Sequence, residues 1–182
     1  MKLKLNHAPH VANKIALDLA NSSLLDLNVP LEKIAQISSS ILTEDVKVEA
    51  SLDARARELM EKRQEEIEFM RLDEKKLFWM IKQQLANDMN FSLLWEDRYN
   101  ELSHKILDTL LNDDLIKIKV RENQVKNLIF RAIDTYAKAY NEIEDIVLDK
   151  IKNYKRKIIV GTDEYELIFD KIYQEELRKR GF

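Results

Sequence analysis

The chain has no cysteine, and only two glycines and two prolines in 182 residues. Without thiols there are no disulfides, thiolate metal sites or cysteine nucleophiles. So few glycines and prolines cannot punctuate an all-β or loop-rich fold. They also leave too little glycine for a phosphate-cradling loop or a nucleophile elbow, and no zinc-binding helix signature occurs. No apolar run approaches the roughly 20 residues of a membrane span. The opening Met1-Lys2-Leu3-Lys4-Leu5-Asn6-His7 lacks the apolar stretch of a secretory leader. A soluble cytoplasmic protein without a membrane partner is expected. Neither sign of charge dominates: residues 1–91 carry 13 Lys+Arg against 15 Asp+Glu, and residues 92–182 carry 17 against 18. Global electrostatics therefore do not mark either half as a nucleic-acid module.

What is present is 45% apolar and 35% charged, rich in Leu, Ile, Lys, Glu, Asn and Asp, which favours helices. The chain also reads as written twice. Residues 14–42 match residues 105–133 without a gap at an offset of 91, half the chain length. Lys14/Lys105, Leu19/Leu110, Asn21/Asn112, Leu24/Leu115 and Val29/Val120 are identities. Self-similarity at a fixed period makes each half one structural unit. The expectation is an all-α fold of two tandem related helical units, residues 1–91 and 92–182, packed separately or as one elongated domain. A twofold-like relation between the halves follows from the duplication.

Each half has the same order: a short helix, a six-residue apolar segment, a very long helix and a closing helix. Leu115-Ile116-Lys117-Ile118-Lys119-Val120 alternates apolar and charged residues, as a half-buried strand does, and Leu25, Leu27 and Val29 keep the alternation. One strand cannot satisfy its own backbone, so the two copies are expected to pair in a short ribbon joining the repeats. In the second half Val125, Tyr136, Val147 and Ile158 recur at eleven residues, as do Ile129, Tyr140, Ile151 and Ala132, Ile143, Tyr154. That period predicts a nearly straight helix of almost 40 residues stopping at Gly161. Asp163 with Glu166 then looks like the cap opening the last helix. In the first half Asn28 and Pro30 mark the start, and Ile34, Ile37, Ile41, Leu52, Ala56, Leu59 and Ile67 form the stripe. Asp45, Glu49 and Arg63 stand where the second half has Tyr136, Tyr140 and Tyr154, so that face is either more solvated or meets a polar partner.

Few side chains point to chemistry. His7 and His10 are three apart, but Pro9 intervenes and no third ligand is near, so no metal and no cofactor is implied. Acidic pairs such as Asp113-Asp114, Asp163-Glu164 and Glu175-Glu176 sit at helix boundaries or on charged faces, where the helix dipole accounts for them. The one local charge signal is Lys150, Lys152, Tyr154, Lys155, Arg156 and Lys157, with Arg178, Lys179 and Arg180 as a second cluster. Cations complement the negative end of a helix, and this reading ranks ahead of phosphate contact with Tyr154 stacking on a base. Most aromatics fall at helical spacing and read as core, with Trp79 and Trp95 as candidates for the contact between repeats.

The run Arg156-Lys157-Ile158-Ile159-Val160-Gly161-Thr162-Asp163-Glu164-Tyr165-Glu166-Leu167-Ile168-Phe169, the ending Glu175-Glu176-Leu177-Arg178-Lys179-Arg180-Gly181-Phe182, and the start Met1-Lys2-Leu3-Lys4-Leu5 with His10-Val11-Ala12-Asn13-Lys14-Ile15 resemble the bacterial domain of unknown function 507 family. The resemblance covers the whole chain. It implies a cytoplasmic, largely helical bacterial protein, and brings no activity or functional residue with it. Arg71-Leu72 stand near where the second half has Gly161-Thr162, so the two closing turns should differ. The leading expectation is a non-catalytic helical scaffold or adaptor that holds a protein partner in a groove between the repeat units. A nucleic-acid-binding protein using the two basic clusters comes second, and an enzyme of unknown class third. Monomer and dimer are both open.

Overall fold

The computed structural model describes residues 3–70, 73–154, 159–160 and 162–180. After a single 3-10 turn at Leu5–His7 the elements are α1 (Ala8–Ala20), β1 (Leu25–Leu27), α2 (Leu31–Glu61), α3 (Gln64–Phe69), α4 (Glu74–Asp88), α5 (Trp95–Asn112), β2 (Ile116–Ile118), α6 (Glu122–Lys152) and α7 (Asp163–Lys179). The fold is all-α apart from this one small ribbon. The two strands begin and end 91 residues apart, and so do the two 31-residue helices α2 and α6. The chain divides into two compact units, Lys2–Ile133 and 134–182, so compaction does not follow the 91-residue offset. Helix α6 begins in the larger unit and ends in the smaller.

The larger unit holds the ribbon. Strands β1 and β2 pair antiparallel, Leu25 with Ile118, Asp26 with Lys117 and Leu27 with Ile116, as the alternating pattern predicted. The pairing is symmetric about Asp26 and Lys117, which occupy the same position in the two halves. Leu25 and Ile116 turn inward and are buried, while Asp26 and Lys117 face solvent. Backbone bonds from Asn28 to Leu115 and from Lys119 to Leu24 extend the ladder at 2.9 Å each. The Asn28 side chain donates to the Asp114 carbonyl at 2.9 Å, so Asn28 serves the ribbon rather than the start of α2. Asp114 has φ 54°, a left-handed turn that Asp tolerates better than most residues, and it ends α5 where the acidic pair interrupts the apolar pattern.

Around the ribbon, α1 buries Val11, Ala12, Ile15, Ala16 and Leu19, and α2 buries Ile34, Ala35, Ile41 and Leu42, with α1 and α2 packed together. Pro30 caps α2 with its ring φ of −58°, suited to a helix entrance. The apolar stripe does not carry α2 through Ile67. Lys62 still bonds back four residues to Glu58, but Arg63 bonds back only three to Met60, and the helix stops there before the short α3. Asp73 caps α4, its carboxylate accepting from the backbone of Lys75 and Lys76.

In the smaller unit the α6 stripe is Ala137, Tyr140, Ile143, Val147 and Ile151, all buried. The helix is shorter than the eleven-residue pattern predicted. It ends at Lys152, where the Asn153 side chain donates to the Asp149 carbonyl at 2.9 Å and Tyr154 N–H bonds only three residues back, to Ile151. An asparagine that offers the backbone a competing partner unwinds the last turn. Tyr154 leaves the stripe and is exposed. Gly161, the expected stop, lies outside the described residues. The cap of α7 is Thr162, whose hydroxyl accepts from Tyr165 N–H at 3.3 Å, and not Asp163, which sits in the first turn with Glu164 and Glu166.

Candidate functional site

A charge network is buried in the larger unit. Arg98, near the start of α5, is 6% exposed; its Nε donates to Asp45 at 2.7 Å and its Nη1 pairs with Glu49 at 2.5 Å. Lys82 of α4, 4% exposed, reaches Glu49 at 3.1 Å and Asp53 at 2.6 Å. Glu49 therefore ties α4 and α5 to α2. Burial raises the Asp45 carboxyl above its ordinary range, and the bond and charge of Arg98 offset this only in part. For Arg98 burial alone would favour the neutral form, but the bonds it donates to Asp45 and Glu49, with their charges, outweigh it and hold the guanidinium charged. The Arg98 guanidinium also lies 4.8 Å over the Phe91 ring. Of the two readings of the Asp45/Glu49 face, the polar partner is the one realised. Neither Arg98 nor Lys82 was singled out in the sequence; the signal was two carboxylates on a buried stripe.

In the smaller unit the equivalent stretch of α6 is aromatic. Tyr136 meets Tyr140 edge-on at 6.1 Å, and along α7 Tyr165, Phe169 and Tyr173 stack at 6.2 and 5.8 Å. Burial raises the Tyr140 hydroxyl above its ordinary pKa, with Tyr173 and Tyr136 adding to it. Burial lifts Tyr173 to about 12, helped by Glu144.

The basic candidates fall into three groups. Lys150 and Lys179 both bond the Glu176 carboxylate at 2.6 Å, so the ends of α6 and α7 converge on one acid. Those two bonds pull Glu176 down to about 2. Lys152 pairs with Asp149 at 3.2 Å and Arg180 with Glu142 at 2.8 Å. Tyr154 and Arg178 are exposed. Lys155, Arg156 and Lys157 lie outside the described residues. Among the described residues no cluster of three His, Asp or Glu is arranged to hold a metal ion, and no helix is long and apolar enough to cross a membrane. His7 is buried, and its ring accepts from Lys4 N–H at 3.2 Å. Burial lowers its pKa to about 4, with Lys4 and His10 adding to the shift.

The concave apolar surface of the larger unit lies where α2, α3 and α4 meet. A cleft of about 320 Å³ is lined by Leu59, Met60, Arg63, Ile67, Leu77 and Ile81. A second hollow of about 490 Å³ shares Met60 and adds Arg57, Lys75, Phe78 and Trp79. In their linings Met70 is 63% and Trp79 58% exposed, and on α3 and α4 Phe69 is 88% and Met80 61% exposed. This corrects the reading of Trp79 as a core contact between repeats: its ring is held 5.4 Å from the Lys82 ammonium and faces outward. Trp95 instead meets Tyr99 edge-on at 5.8 Å. Three consecutive apolar residues, Phe78-Trp79-Met80, cannot all face one side of a helix, and that was the signal available in the sequence.

No curated protein matches the chain. The model of the family described as "Protein of unknown function (DUF507)" matches residues 1–182. With the whole length matched and the helical fold in place, the chain belongs to the DUF507 family.

Proposed function

We propose that the protein is a non-catalytic helical scaffold or adaptor that holds a partner protein on apolar surface where a long helix meets its closing helix. The observation that supports this is the cleft of α2, α3 and α4, with exposed Met70 in its lining and exposed Trp79 in that of the adjoining hollow. In a chain with 35% charged residues, contiguous exposed apolar side chains have a cost in solubility and mark interaction sites. Aromatic residues and methionine are also the types enriched at protein interfaces, methionine because it adapts its shape. The connector between α6 and α7 exposes Ile159 and Val160, and Leu167 follows on α7. Each half thus carries its own apolar end, and two modest contacts on one chain multiply in avidity. We read the 91-residue recurrence as an internal duplication that supplies both ends, in a protein working in the bacterial cytoplasm.

A photo-crosslinking amino acid at position 70, in the lining of the cleft, tests the reading in cells. It should trap one discrete protein, while the same group at the exposed position of Lys47 traps none. Equal or absent products from both positions would refute the adaptor. Nucleic-acid binding remains the second reading, favoured by one observation: Glu176 gathers Lys150 and Lys179, one residue from each basic cluster. It predicts affinity for labelled DNA or RNA that falls with salt and disappears when Lys152, Lys155, Arg156 and Lys157 become Ala.

A further inference from the structure

Building on the adaptor reading, we infer that the α2–α3–α4 cleft takes an amphipathic helix whose polar rim is acidic. The shape argues for a helix. Leu77 and Ile81 of α4 lie beside Leu59 and Met60 of α2, and further along α4 Lys82 reaches back to Asp53 and Glu49, so the two helices run antiparallel. They leave two hollows joined at Met60, one of about 320 Å³ and one of about 490 Å³. Two adjoining hollows bordered by α2 and α4, each roomy enough for more than one side chain, match successive apolar anchors along a third helix. Met60 and Met70 let the walls adjust to the anchors. Trp79 is seated over the Lys82 ammonium, which Glu49 and Asp53 hold in place, so the exposed ring is already oriented.

The charge of the rim decides the partner's chemistry. Among the described residues Arg57, Arg63 and Lys75 line the two hollows, against the one carboxylate of Glu74. Among the described residues none of these three cations has an ion-pair partner, although their neighbours do: Lys62 pairs with Glu58, and Lys82 with Glu49 and Asp53. Three unpaired cations beside apolar surface complement carboxylates on an incoming helix and repel a basic one.

Trp95→Phe leaves Trp79 as the sole tryptophan and a reporter within the surface itself. The probes are two synthetic helical peptides of about 18 residues, five turns, with the same leucine face. One carries Glu along its rim and the other Lys. The Glu peptide should shift Trp79 emission and bind on the order of tenfold tighter or more at low salt, with the gap narrowing as salt rises. In the folded triple variant R57E/R63E/K75E, checked by circular dichroism, the preference should reverse. Equal binding of both peptides, or preference for the Lys peptide, would overturn the acidic partner and leave the adaptor surface standing. If neither peptide moves Trp79 emission, the surface is not a helix-binding site and this inference falls, while the adaptor reading stands or falls on the crosslink.

Discussion

Asp45, Glu49 and Lys82 of the larger unit stand 91 residues before Tyr136, Tyr140 and Tyr173 of the smaller one. Asp53 likewise corresponds to Glu144, and Arg98 follows His7 by the same interval. The first set buries charge and the second buries aromatic rings at equivalent places in one order of helices. The difference is physical. A carboxylate withdrawn from water needs an opposing charge at bonding distance, so Asp45 and Glu49 require Arg98 and Lys82, and each carries orientation as well as charge. A tyrosine brings apolar area with a single polar tip and makes less demand on its surroundings. Equal helical frames can therefore be closed by a specific network or by a tolerant one.

The comparison is broken most severely at its most connected residue. Arg98→Met leaves the Asp45 and Glu49 carboxylates without their guanidinium, and is expected to cost about 3–5 kcal/mol in urea unfolding. The fivefold variant D45Y/E49Y/D53N/K82Y/R98H removes every charge of the network and puts the residue found 91 positions away at four of its five sites. Since it leaves none of the paired charges behind, it should be less destabilised than Arg98→Met alone. A larger loss would show that the two sites are not interchangeable.

Titration sharpens the contrast next. Tyr173 ionises at about 12 in the folded protein against an ordinary 10, so its contribution is complete below pH 10 and is lost as pH rises through 12. Tyr173→Phe should flatten stability over that alkaline window. His7 runs the other way. Its folded pKa of about 4 lies below the ordinary 6.5, so its contribution is complete above pH 6.5 and is lost as pH falls through 4. His7→Gln should reduce that acid-side loss. The smallest effect belongs to the ribbon: Asp26 and Lys119 pair in full solvent, and Asp26→Asn should change unfolding by less than about 1 kcal/mol.

Much of the frame could be read from the residues. Alternation at Leu115–Val120, and at Leu25, Leu27 and Val29, located both strands and their pairing, because a lone three-residue strand has nowhere else to send its backbone bonds. The α6 stripe held at Ile129, Tyr140 and Ile151, since burial repeats with the helical turn. The ends were harder. Asn153 and Arg63 stop their helices through local bonds that compete with a continuing apolar pattern, and Thr162 takes the cap that Asp163 was expected to fill. The candidate cleft was missed because Phe78-Trp79-Met80 reads as core until α2 and α4 are placed side by side. Its rim could not be seen either, since whether a cation is paired depends on what the fold brings near.

The sequence by itself determined the helical class, the order of the main elements and the ribbon, which follow from periodicity and local backbone needs, and the family, which its residue runs carry. Only the tertiary structure decided which charges are buried together, that Glu176 gathers Lys150 with Lys179, and that Trp79 faces outward. Those outcomes depend on residues distant along the chain meeting within bonding distance. Only packing sets such distances.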